Sequence, residues 1–416
     1  MLFGSSGIRR RYDQSLVELA AHVGSAVARQ ARRVVLGRDT RTTGPLLAES
    51  FMAGVLAAGG EVRYGGIAPT PTVAYGVRSA DAGCMITASH NPEPYNGLKL
   101  LNPDGSSFTL RQQALTESLV GEPFWSDWTQ QGSIAETDLI PAHIEGICSS
   151  VDPGEGLTMV VDCGNGAGSV ITPRLLSGAG IRAHCLNCNV AGTFARPSEP
   201  LEANLPYIGG MVRSTGADGA LIHDGDADRF MAFDGRGRYI SGDHLLILFA
   251  TYLGAKRVVT TVDASMAIEE VAEVARTPVG DSYVSEKLIS WGEFGGEPSG
   301  SWMFPGHSLC PDGIYAAALF CRICREWNVA DVIDGLPRYP ILRTSIPCDT
   351  PADVLFRLGA EVPTDGIRLA DEDGWCLIRA SGTEPKVRIT AEGVTVAAAK
   401  AMEERGRKVL SRALQV

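Results

Sequence analysis

The sequence predicts an α/β fold built from three related α/β units and a short C-terminal unit. Three segments combine a strand-like β-branched run, an aspartate and a helix-compatible stretch: residues 32–41 (RRVVLGRDTR), 157–166 (LTMVVDCGNG) and 256–265 (KRVVTTVDAS). Their recurrence at intervals of roughly a hundred residues favours repeated α/β domains. The length of 416 residues also suits several domains, at about 100–200 residues each.

The first unit is expected to contain two helices. Residues 15–30 repeat apolar side chains every three or four positions, and Ser15 and Glu18 have the spacing of a capping box. A second helix is expected over residues 44–58. Residues 245–255 (LLILFATYLGA) are apolar but shorter than the about 20 residues that span a membrane, so we expect a buried helix there.

Two segments rich in turn-forming residues divide the chain. Residues 149–156 (SSVDPGEG) are polar and residues 336–351 contain four prolines, so both are expected to be linkers. Together with the repeats they predict four domains. The predicted boundaries are residues 1–148, 149–245, 246–340 and 341–416.

The composition limits the possible partners. The formal net charge is −11 and the sequence pI is near 5.2, whereas nucleic acids and anionic membranes attract basic surfaces. We therefore expect no nucleic-acid and no membrane partner, while an anionic small molecule is compatible. The first residues lack the apolar run of a secretory signal, which predicts a cytoplasmic protein. The C-x-x-C pairs at 185–188 and 321–324 are expected to be reduced core thiols rather than metal ligands.

The motif DGDADR (residues 224–229) places three aspartates at alternating positions. Carboxylates packed this closely repel one another, so the cluster favours a hard cation such as Mg²⁺ or Ca²⁺. An EF-hand is excluded because Arg229 and Gly235 stand where its loop needs a glycine and an acidic residue. The strand-like GALIH before the motif predicts a position at the end of a strand, and the alternative is a solvated acidic turn. The candidate ligands are Asp224, Asp226 and Asp228.

The segment TASHNPEPYNGLKL (residues 87–100) combines a hydroxyl, an imidazole and an amine. Ser89 is a candidate nucleophile or phosphate carrier, a role in which serine needs a metal or a base. The aspartate motif offers the metal, while His90 and Lys99 offer proton transfer, for which Lys99 is expected to have a lowered pKa. Taken alone, the segment is more typical of an ordinary turn. Because the aspartate motif can supply a metal, a chemical role for Ser89 becomes the favoured interpretation.

Two further polar loops are candidate binding sites. Residues 379–389 (RASGTEPKVRI) combine guanidinium groups, hydroxyls and backbone that suit a phosphate dianion, with an ordinary hairpin turn as the alternative. Residues 295–300 (GGEPSG) offer a carboxylate and a hydroxyl to vicinal sugar hydroxyls, with a plain loop as the alternative. The candidate phosphate ligands are Arg379, Ser381, Gly382, Thr383 and Arg388, and the candidate sugar ligands are Glu297 and Ser299.

Four other polar residues have simpler expected roles. Arg9 is a surface charge or a phosphate ligand, depending on where the fold places it. His223, directly before the aspartates, is expected to be a packed core histidine. Arg38 and Arg41 are expected to form structural ion pairs.

The ordered motifs FGSSGIR, TASHNP, NGLK, DGDADR, GGEPSG and RASGTEP resemble those of the α-D-phosphohexomutase family. They span almost the whole chain. The resemblance implies three related α/β domains with mixed sheets and a small α+β fourth domain around a central cleft. It also implies a phosphohexomutase, an isomerase that interconverts hexose 6-phosphate and hexose 1-phosphate, with Mg²⁺ as cofactor and hexose 1,6-bisphosphate as activator.

The resemblance assigns roles to the motif residues. Ser89 is a phosphoserine whose phosphoryl group, bound to Mg²⁺ with the three aspartates, passes to a hexose monophosphate and gives a hexose 1,6-bisphosphate. The other phosphate of that intermediate then returns to Ser89. Lys99 is a general acid/base. Arg9, His90 and Arg229 support the transferring group, Glu297 and Ser299 hold sugar hydroxyls, and Arg379, Ser381, Gly382, Thr383 and Arg388 hold the other phosphate.

The chain departs from the family at Ser301, where many members have a histidine after the sugar loop. His307 lies nearby in sequence, and whether it substitutes for that histidine is open.

Residues 277–288 (TPVGDSYVSEKL) are similar to a segment of phosphoglucosamine mutases. Glucosamine phosphate is therefore the expected substrate. Gly280 and Asp281 in this segment are candidate substrate ligands. The alternatives are a phosphomannomutase/phosphoglucomutase, a Mg²⁺-dependent sugar phosphatase and a sugar-phosphate-binding protein without activity. A monomer or a homodimer is expected.

Overall fold

The structure is a computed structural model and describes residues 2–4, 7–363, 365–381 and 385–414. The described residues form four β-sheets that follow one another along the chain. The first three are mixed or parallel-containing sheets with helices, and the fourth is a small antiparallel sheet with helices. This architecture confirms the predicted fold class. We name domains I to IV after these sheets, and the residue boundaries predicted above stay predictions.

Domain I carries the six-stranded sheet, in the order β1-β5-β4-β2-β3-β6. Strand β2 is parallel to β3 and β4, whereas β5 is antiparallel to β4. The loop between β4 and β5 contains the TASHNP motif. The elements are β1 (Ile8–Arg11), α1 (Gln14–Ala28), β2 (Arg33–Arg38), α2 (Gly44–Ala57), β3 (Glu61–Ile67), α3 (Thr70–Val77), β4 (Ala82–Ile86), β5 (Tyr95–Leu101), α4 (Leu110–Val120) and β6 (Ser133–Glu136).

The start of helix α1 differs from the predicted capping box. The N-cap is Asp13, whose carboxylate accepts a hydrogen bond from the amide of Leu16 at 3.1 Å. Ser15 instead donates its hydroxyl hydrogen to Asp13 at 2.7 Å. The prediction of Ser15 and Glu18 as capping partners is wrong because an aspartate two residues earlier already satisfies the first amides.

Domain II carries a five-stranded sheet in the order β11-β10-β9-β7-β8. Strand β7 is parallel to its neighbours β9 and β8, with β8 at the edge, and β9 turns back into antiparallel β10. The turn between β9 and β10 contains the three aspartates, as the strand-like GALIH predicted. The elements are α5 (Ile140–Ser150), β7 (Thr158–Asp162), α6 (Thr172–Gly178), β8 (Arg182–Leu186), α7 (Ile208–Thr215), β9 (Gly219–His223), β10 (Phe230–Asp234) and β11 (Tyr239–Ile240).

Domain III carries a four-stranded sheet in the order β13-β12-β14-β15. Helix α8 confirms the buried helix predicted from residues 245–255. A short 3₁₀ helix, Met266–Glu270, and then a strand follow β12, so the third repeat does not continue directly into an α-helix. The elements are α8 (Gly242–Leu253), β12 (Arg257–Thr261), β13 (Glu273–Thr277), α9 (Asp281–Ser290), β14 (Phe294–Glu297), β15 (Ser301–Met303), α10 (Gly313–Glu326) and α11 (Val329–Gly335).

Domain IV is a four-stranded antiparallel sheet in the order β16-β19-β18-β17, with a long helix on one face. Apolar side chains of β18, β19 and α13, among them Ile378, Ile389 and Leu410, form its separate core. The elements are β16 (Ile341–Pro347), α12 (Pro351–Arg357), β17 (Ile367–Asp371), β18 (Gly374–Ala380), β19 (Lys386–Gly393) and α13 (Val396–Leu414).

Domains II and III share one continuous hydrophobic core, whereas domains I and IV have cores of their own. The rings of Phe230 and Phe320 join the two domains with a centroid distance of 5.7 Å. Domain IV contacts domain III through the buried carboxylate of Glu392, which accepts hydrogen bonds from the amide of Met266 and from the indole of Trp375. The aspartate loop and the sugar loop are therefore held in one packed body.

Two further sequence predictions concern membrane-spanning helices and the cysteine pairs. Within the described ranges, no helix has both the length and the apolar character needed to cross a membrane. Cys321 is buried as predicted, but Cys185 is exposed, so the prediction of a core thiol is wrong there. No metal-type cluster of the described residues includes a cysteine.

Candidate active site

The TASHNP loop holds Ser89 in an unusual backbone conformation. Its φ is +48°, in the left-handed region that residues other than glycine seldom adopt. The amide of Ser89 donates to the hydroxyl of Thr87 at 2.8 Å, and that hydroxyl donates to the buried Asp39 at 2.7 Å. These hydrogen bonds fix the turn that exposes the Ser89 hydroxyl to the neighbouring domain.

The guanidinium group of Arg41 holds this loop through an ion pair and several hydrogen bonds. Its side chain is 2% exposed and its Nε lies 2.9 Å from Asp39 Oδ2, which confirms the predicted ion pair. Arg38 forms no ion pair in the described part of the chain, and its Nε donates instead to the hydroxyl of Tyr64. The guanidinium of Arg41 also donates, at 2.7–2.9 Å, to the carbonyls of Ser89, Asn91, Pro92 and Tyr95.

The three aspartates of the DGDADR motif converge on the Ser89 hydroxyl. One carboxylate oxygen of each lies within 4.8 Å of the other two, and Asp224 Oδ2 accepts a hydrogen bond from Ser89 Oγ at 3.0 Å. Asp226 Oδ1 and Asp228 Oδ1 are buried and have no hydrogen-bond partner among the described residues. The three residues are at most 3% exposed, so the alternative of a solvated acidic turn is wrong.

The buried carboxylates raise one another's pKa. Burial, followed by the charges of Asp226 and Asp228, raises the pKa of Asp224 well above its usual value. Burial and the charge of Asp228 likewise raise the pKa of Asp226 to about 6. A divalent cation would relieve this repulsion and coordinate the unpartnered oxygens, so the donor set fits Mg²⁺.

Lys99 does not have the lowered pKa that the sequence suggested. Burial disfavours its charge, but Asp281 at 2.8 Å and Asp228 at 3.1 Å outweigh burial and hold its pKa well above the usual value. Lys99 therefore enters the site as a cation. The sequence could not indicate this because Asp281 lies 182 residues away.

A cleft of about 340 Å³ opens beside Ser89. Arg9 lines this cleft, so its side chain is at the candidate site and is not an isolated surface charge. Arg229 lines it too, with its guanidinium 3.0 Å from Glu199. Burial, together with Arg229, Arg9 and Arg41, lowers the pKa of His90 to about 2, so its imidazole is neutral at physiological pH. His90 Nδ1 lies 3.5 Å from Ser89 Oγ.

The sugar loop and the VGD string meet on the opposite wall of this cleft. Glu297 Oε1 accepts a hydrogen bond from the amide of Gly280 at 2.8 Å, and Ser299 lies 3.4 Å from Glu297 Oε2. Burial, followed by the charge of Asp281, raises the pKa of Glu297 to about 7. All four residues line the cleft with Asp263, which the sequence analysis missed. The wall is therefore strongly acidic.

His307 does not replace the histidine that the family motif would have at Ser301. Ser301 lines the cleft, whereas His307 lies outside the cleft lining. Its imidazole stacks on Tyr75 and makes a tilted contact with Tyr315, with centroid distances of 5.4 and 4.6 Å. His223 is fully buried and lies 3.0 Å from the hydroxyl of Thr172. The prediction of a packed core histidine at position 223 is confirmed.

Domain IV contributes Arg379 to the cleft. Arg388 lies opposite Arg379 in the β18–β19 pair, and the buried hydroxyl of Ser381 has no hydrogen-bond partner among the described residues. Among the described positions, neither Ser381 nor Arg388 lines the cleft itself. Gly382 and Thr383 lie outside the described residues. Of the three predicted phosphate ligands that the structure describes, Arg379 lines the cleft.

A larger cavity of about 740 Å³ adjoins the cleft and shares Val279 and Arg379 with it. Apolar side chains such as Phe108 and Ile289 line much of it, and the aspartates and Ser89 do not. The smaller cleft is therefore the candidate site. A contact that the sequence analysis also missed supports it: Thr70 donates its hydroxyl hydrogen to Asp226 at 2.6 Å. The sequence could not indicate this contact, because a threonine where a strand passes into a helix has no pattern that predicts it.

The chain matches four domain families in order. Their descriptions are "Phosphoglucomutase/phosphomannomutase, alpha/beta/alpha domain I" over residues 1–122, domain II over 141–237, domain III over 241–339 and "C-terminal domain" over 347–409. Together these families account for most of the sequence.

Single relatives match along nearly the whole chain. A "Probable phosphoglucosamine mutase" of Methanocella arvoryzae is 40% identical over 99% of this chain and 98% of its own length. A phosphoglucomutase/phosphomannomutase family protein of Burkholderia thailandensis superposes with a TM-score of 0.85 at 25% identity, over 99% of this chain and 97% of the other. Aspergillus fumigatus N-acetylphosphoglucosamine mutase, solved with GlcNAc-6P and magnesium, shares the fold with a TM-score of 0.62 at 15% identity, over 99% and 96% of the two chains.

Proposed function

Because the chain belongs to the phosphoglucomutase/phosphomannomutase family of phosphohexomutases, which are isomerases, we propose that it interconverts glucosamine 6-phosphate and glucosamine 1-phosphate. The observation that carries the proposal is the 3.0 Å contact between Ser89 Oγ and Asp224, at the end of a cleft with basic and acidic walls. The relative from Methanocella arvoryzae carries the corresponding name.

Ser89 is the proposed carrier of the phosphoryl group. The free hydroxyl of the sugar attacks the phosphorus, the bond from phosphorus to Ser89 Oγ breaks, and a bond to the sugar oxygen forms. Asp224, Asp226 and Asp228 would hold Mg²⁺, which neutralises charge on the transferring group. Arg9 and Arg229, both in the cleft lining, supply further positive charge. The resulting hexose 1,6-bisphosphate returns its other phosphate to Ser89.

The proton that leaves the sugar hydroxyl needs an acceptor. Lys99 is already protonated because Asp281 and Asp228 hold its pKa high, so we assign it charge neutralisation and the return of a proton. Glu297 has a pKa raised to about 7, which suits a group that accepts a proton near neutral pH. The neutral imidazole of His90 supports the Ser89 oxygen.

The acidic wall of the cleft supports glucosamine over neutral hexoses. Asp263, Asp281 and Glu297 line it, and Lys99 pairs with Asp281 at 2.8 Å. Arg229 is the cation that acts on Glu297. Asp263 forms no ion pair in the described structure, and an ammonium on the sugar would compensate its charge. The basic groups, including Arg379, suit the phosphate ends of the substrate.

The substrate is tested by comparing kcat/KM for glucosamine, mannose, glucose and N-acetylglucosamine phosphates. We expect glucosamine phosphate to lead. Asp263→Asn is expected to reduce that lead about 10-fold or more, since hydrogen bonds to charged groups contribute roughly 1.5–3 kcal/mol. Asp353→Asn, at an exposed position on α12, is the matched control. A wild-type preference for another sugar would contradict the proposed substrate, and an unchanged ranking in Asp263→Asn would contradict the role of Asp263.

A Mg²⁺-dependent sugar phosphatase would use the same serine and aspartates but would transfer the phosphoryl group to water. Arg379 in the cleft argues against this alternative, because a phosphatase needs one phosphate site only. Transfer of labelled phosphate from Ser89 distinguishes the two reactions. Label that appears mainly in sugar phosphate supports the mutase, and label that appears mainly as free phosphate supports the phosphatase.

A further inference from the structure

Away from the cleft, two histidines and an aspartate meet where three segments converge. His143 lies on α5, His307 lies in the loop that follows β15, and Asp312 is the N-cap of α10. Their exposures are 0%, 5% and 1%. Tyr75 of α3 stacks on both imidazoles. This cluster therefore joins α3 of domain I and α5, the first helix of domain II, to domain III.

The three side chains have the spacing of metal ligands. His143 Nε2 lies 2.9 Å and His307 Nε2 lies 3.4 Å from Asp312 Oδ2, and one ligand atom of each residue lies within 4.8 Å of the other two. Ligands bound at about 2.0–2.1 Å to a tetrahedral Zn²⁺ are roughly 3.3 Å apart. A small opening of the His143–Asp312 contact would admit the ion.

The neighbouring hydrogen bonds orient two of the ligands. Asp312 Oδ1 accepts the amides of Ile314 and Tyr315, so Oδ2 faces the imidazoles. The hydroxyl of Thr72 lies 2.9 Å from His143 Nδ1. If Nδ1 donates to this hydroxyl, Nε2 presents its lone pair to the cluster. Such an outer partner is the usual companion of a metal-bound histidine.

A second, independent observation points to a missing partner. His307 Nε2 is buried and has no hydrogen-bond partner among the described residues. The 3.4 Å separation from Asp312 does not form a hydrogen bond. Buried polar atoms are almost always paired, so an atom left unpaired inside a polar cluster indicates an absent ligand.

We propose that His143, His307 and Asp312 bind one Zn²⁺ ion, with a water molecule in the fourth position. Two imidazoles and one carboxylate suit Zn²⁺ and disfavour Mg²⁺, which prefers oxygen ligands. The bound ion would link α5 to the start of α10, and it would stabilise the packing of Tyr75 of α3 against both imidazoles. The ligands are separated by 163 and 4 intervening residues in the sequence, a spacing that no short zinc motif has.

The proposal is tested on the full chain by measuring bound zinc by mass spectrometry after gel filtration with Zn²⁺ and excess Mg²⁺. We expect about one zinc ion per chain at these three ligands, and a higher melting temperature when zinc is bound. His307→Gln and Asp312→Asn are expected to lose this zinc. His184→Gln, the double variant Cys185→Ser/Cys188→Ser, and Asp226→Asn are expected to retain it.

Co²⁺ loaded into the unmodified chain gives a readout that does not depend on the folding of a variant. Visible ligand-field bands of a tetrahedral nitrogen and oxygen site, without sulfur charge transfer, support the proposal. Three results would overturn the proposal. Zinc could persist in His307→Gln, or it could be lost only in the cysteine variant or in Asp226→Asn. The unmodified chain could also bind no zinc and show no thermal shift.

Discussion

The two ends of the cleft are built in different ways. At the Ser89 end, buried groups from domains I and II fix one another: Arg41 holds the loop carbonyls, Thr70 holds Asp226, and Asp224 meets Ser89 at 3.0 Å. At the other end, Arg379 projects from the antiparallel sheet of domain IV, which has its own core. Glu392 connects that sheet to domain III.

This difference matches the two tasks of a mutase. Phosphoryl transfer depends on fixed positions and fixed charges, which the buried Ser89 end provides. A bisphosphate that must present first one phosphate and then the other needs a distal contact that can be released and remade. In the proposed reaction, Arg379 of domain IV would provide that contact, since the core of domain IV is separate from the core around the aspartates.

The largest expected effect comes from Ser89→Ala, which removes the carrier at the fixed end. We expect mutase activity to fall by about 10⁴-fold or more, because removing a nucleophile abolishes the covalent route. Intact-mass measurement should show phosphate on the wild type after incubation with hexose 1,6-bisphosphate and none on the variant. Ser118→Ala, on the far helix α4, is the control. Full activity in Ser89→Ala would contradict the carrier role.

An intermediate effect is expected in stability when Mg²⁺ is removed. Asp226 has a folded pKa of about 6, raised from 3.8, so the folded chain binds more protons than the unfolded chain between these values. The free energy of unfolding of metal-free protein should therefore fall by about 2 kcal/mol as the pH rises from 4 to 7. Denaturant unfolding at several pH values measures this change.

Asp226→Asn should remove that part of the pH dependence, and Mg²⁺ should restore stability to the wild type at pH 7. The exposed Asp349→Asn should keep the wild-type slope. An equal slope in Asp226→Asn and wild type would show that the repulsion between these carboxylates does not govern the metal-free state.

The smallest of the three effects is expected at the distal end. Arg379→Ala should lower kcat/KM by about 10–100-fold, mainly through KM, since it removes charged hydrogen bonds to a phosphate that does not react. Phosphorylation of Ser89 by hexose 1,6-bisphosphate at saturation should change little. Arg405→Ala, which alters an exposed ion pair of the same domain, is the control. A loss in kcat as large as that of Ser89→Ala would remove the distinction between the two ends.

Local patterns predicted an α/β fold and paired Ser89 with the aspartates, whereas the four-domain arrangement came from the family resemblance; the structure places Ser89 Oγ 3.0 Å from Asp224 Oδ2. The aspartates and the strand before them lie within residues 219–228, so their spacing alone indicates a cation site at a strand end. Lys99 was misjudged because its pKa depends on Asp228 and Asp281, which are distant in sequence. Asp263 was missed for a similar reason: it lines the cleft only when domain III folds against the aspartate loop.

The shared core of domains II and III has a consequence for the modularity of the chain. Two units that look like separate copies of one repeat bury their apolar faces against each other, so excising either one would expose the surface that the other covers and favour aggregation. Domain IV, with its own core, is the natural cut point for truncation or for exchange between relatives. Recombination within this architecture should therefore preserve domains II and III as a single inherited block.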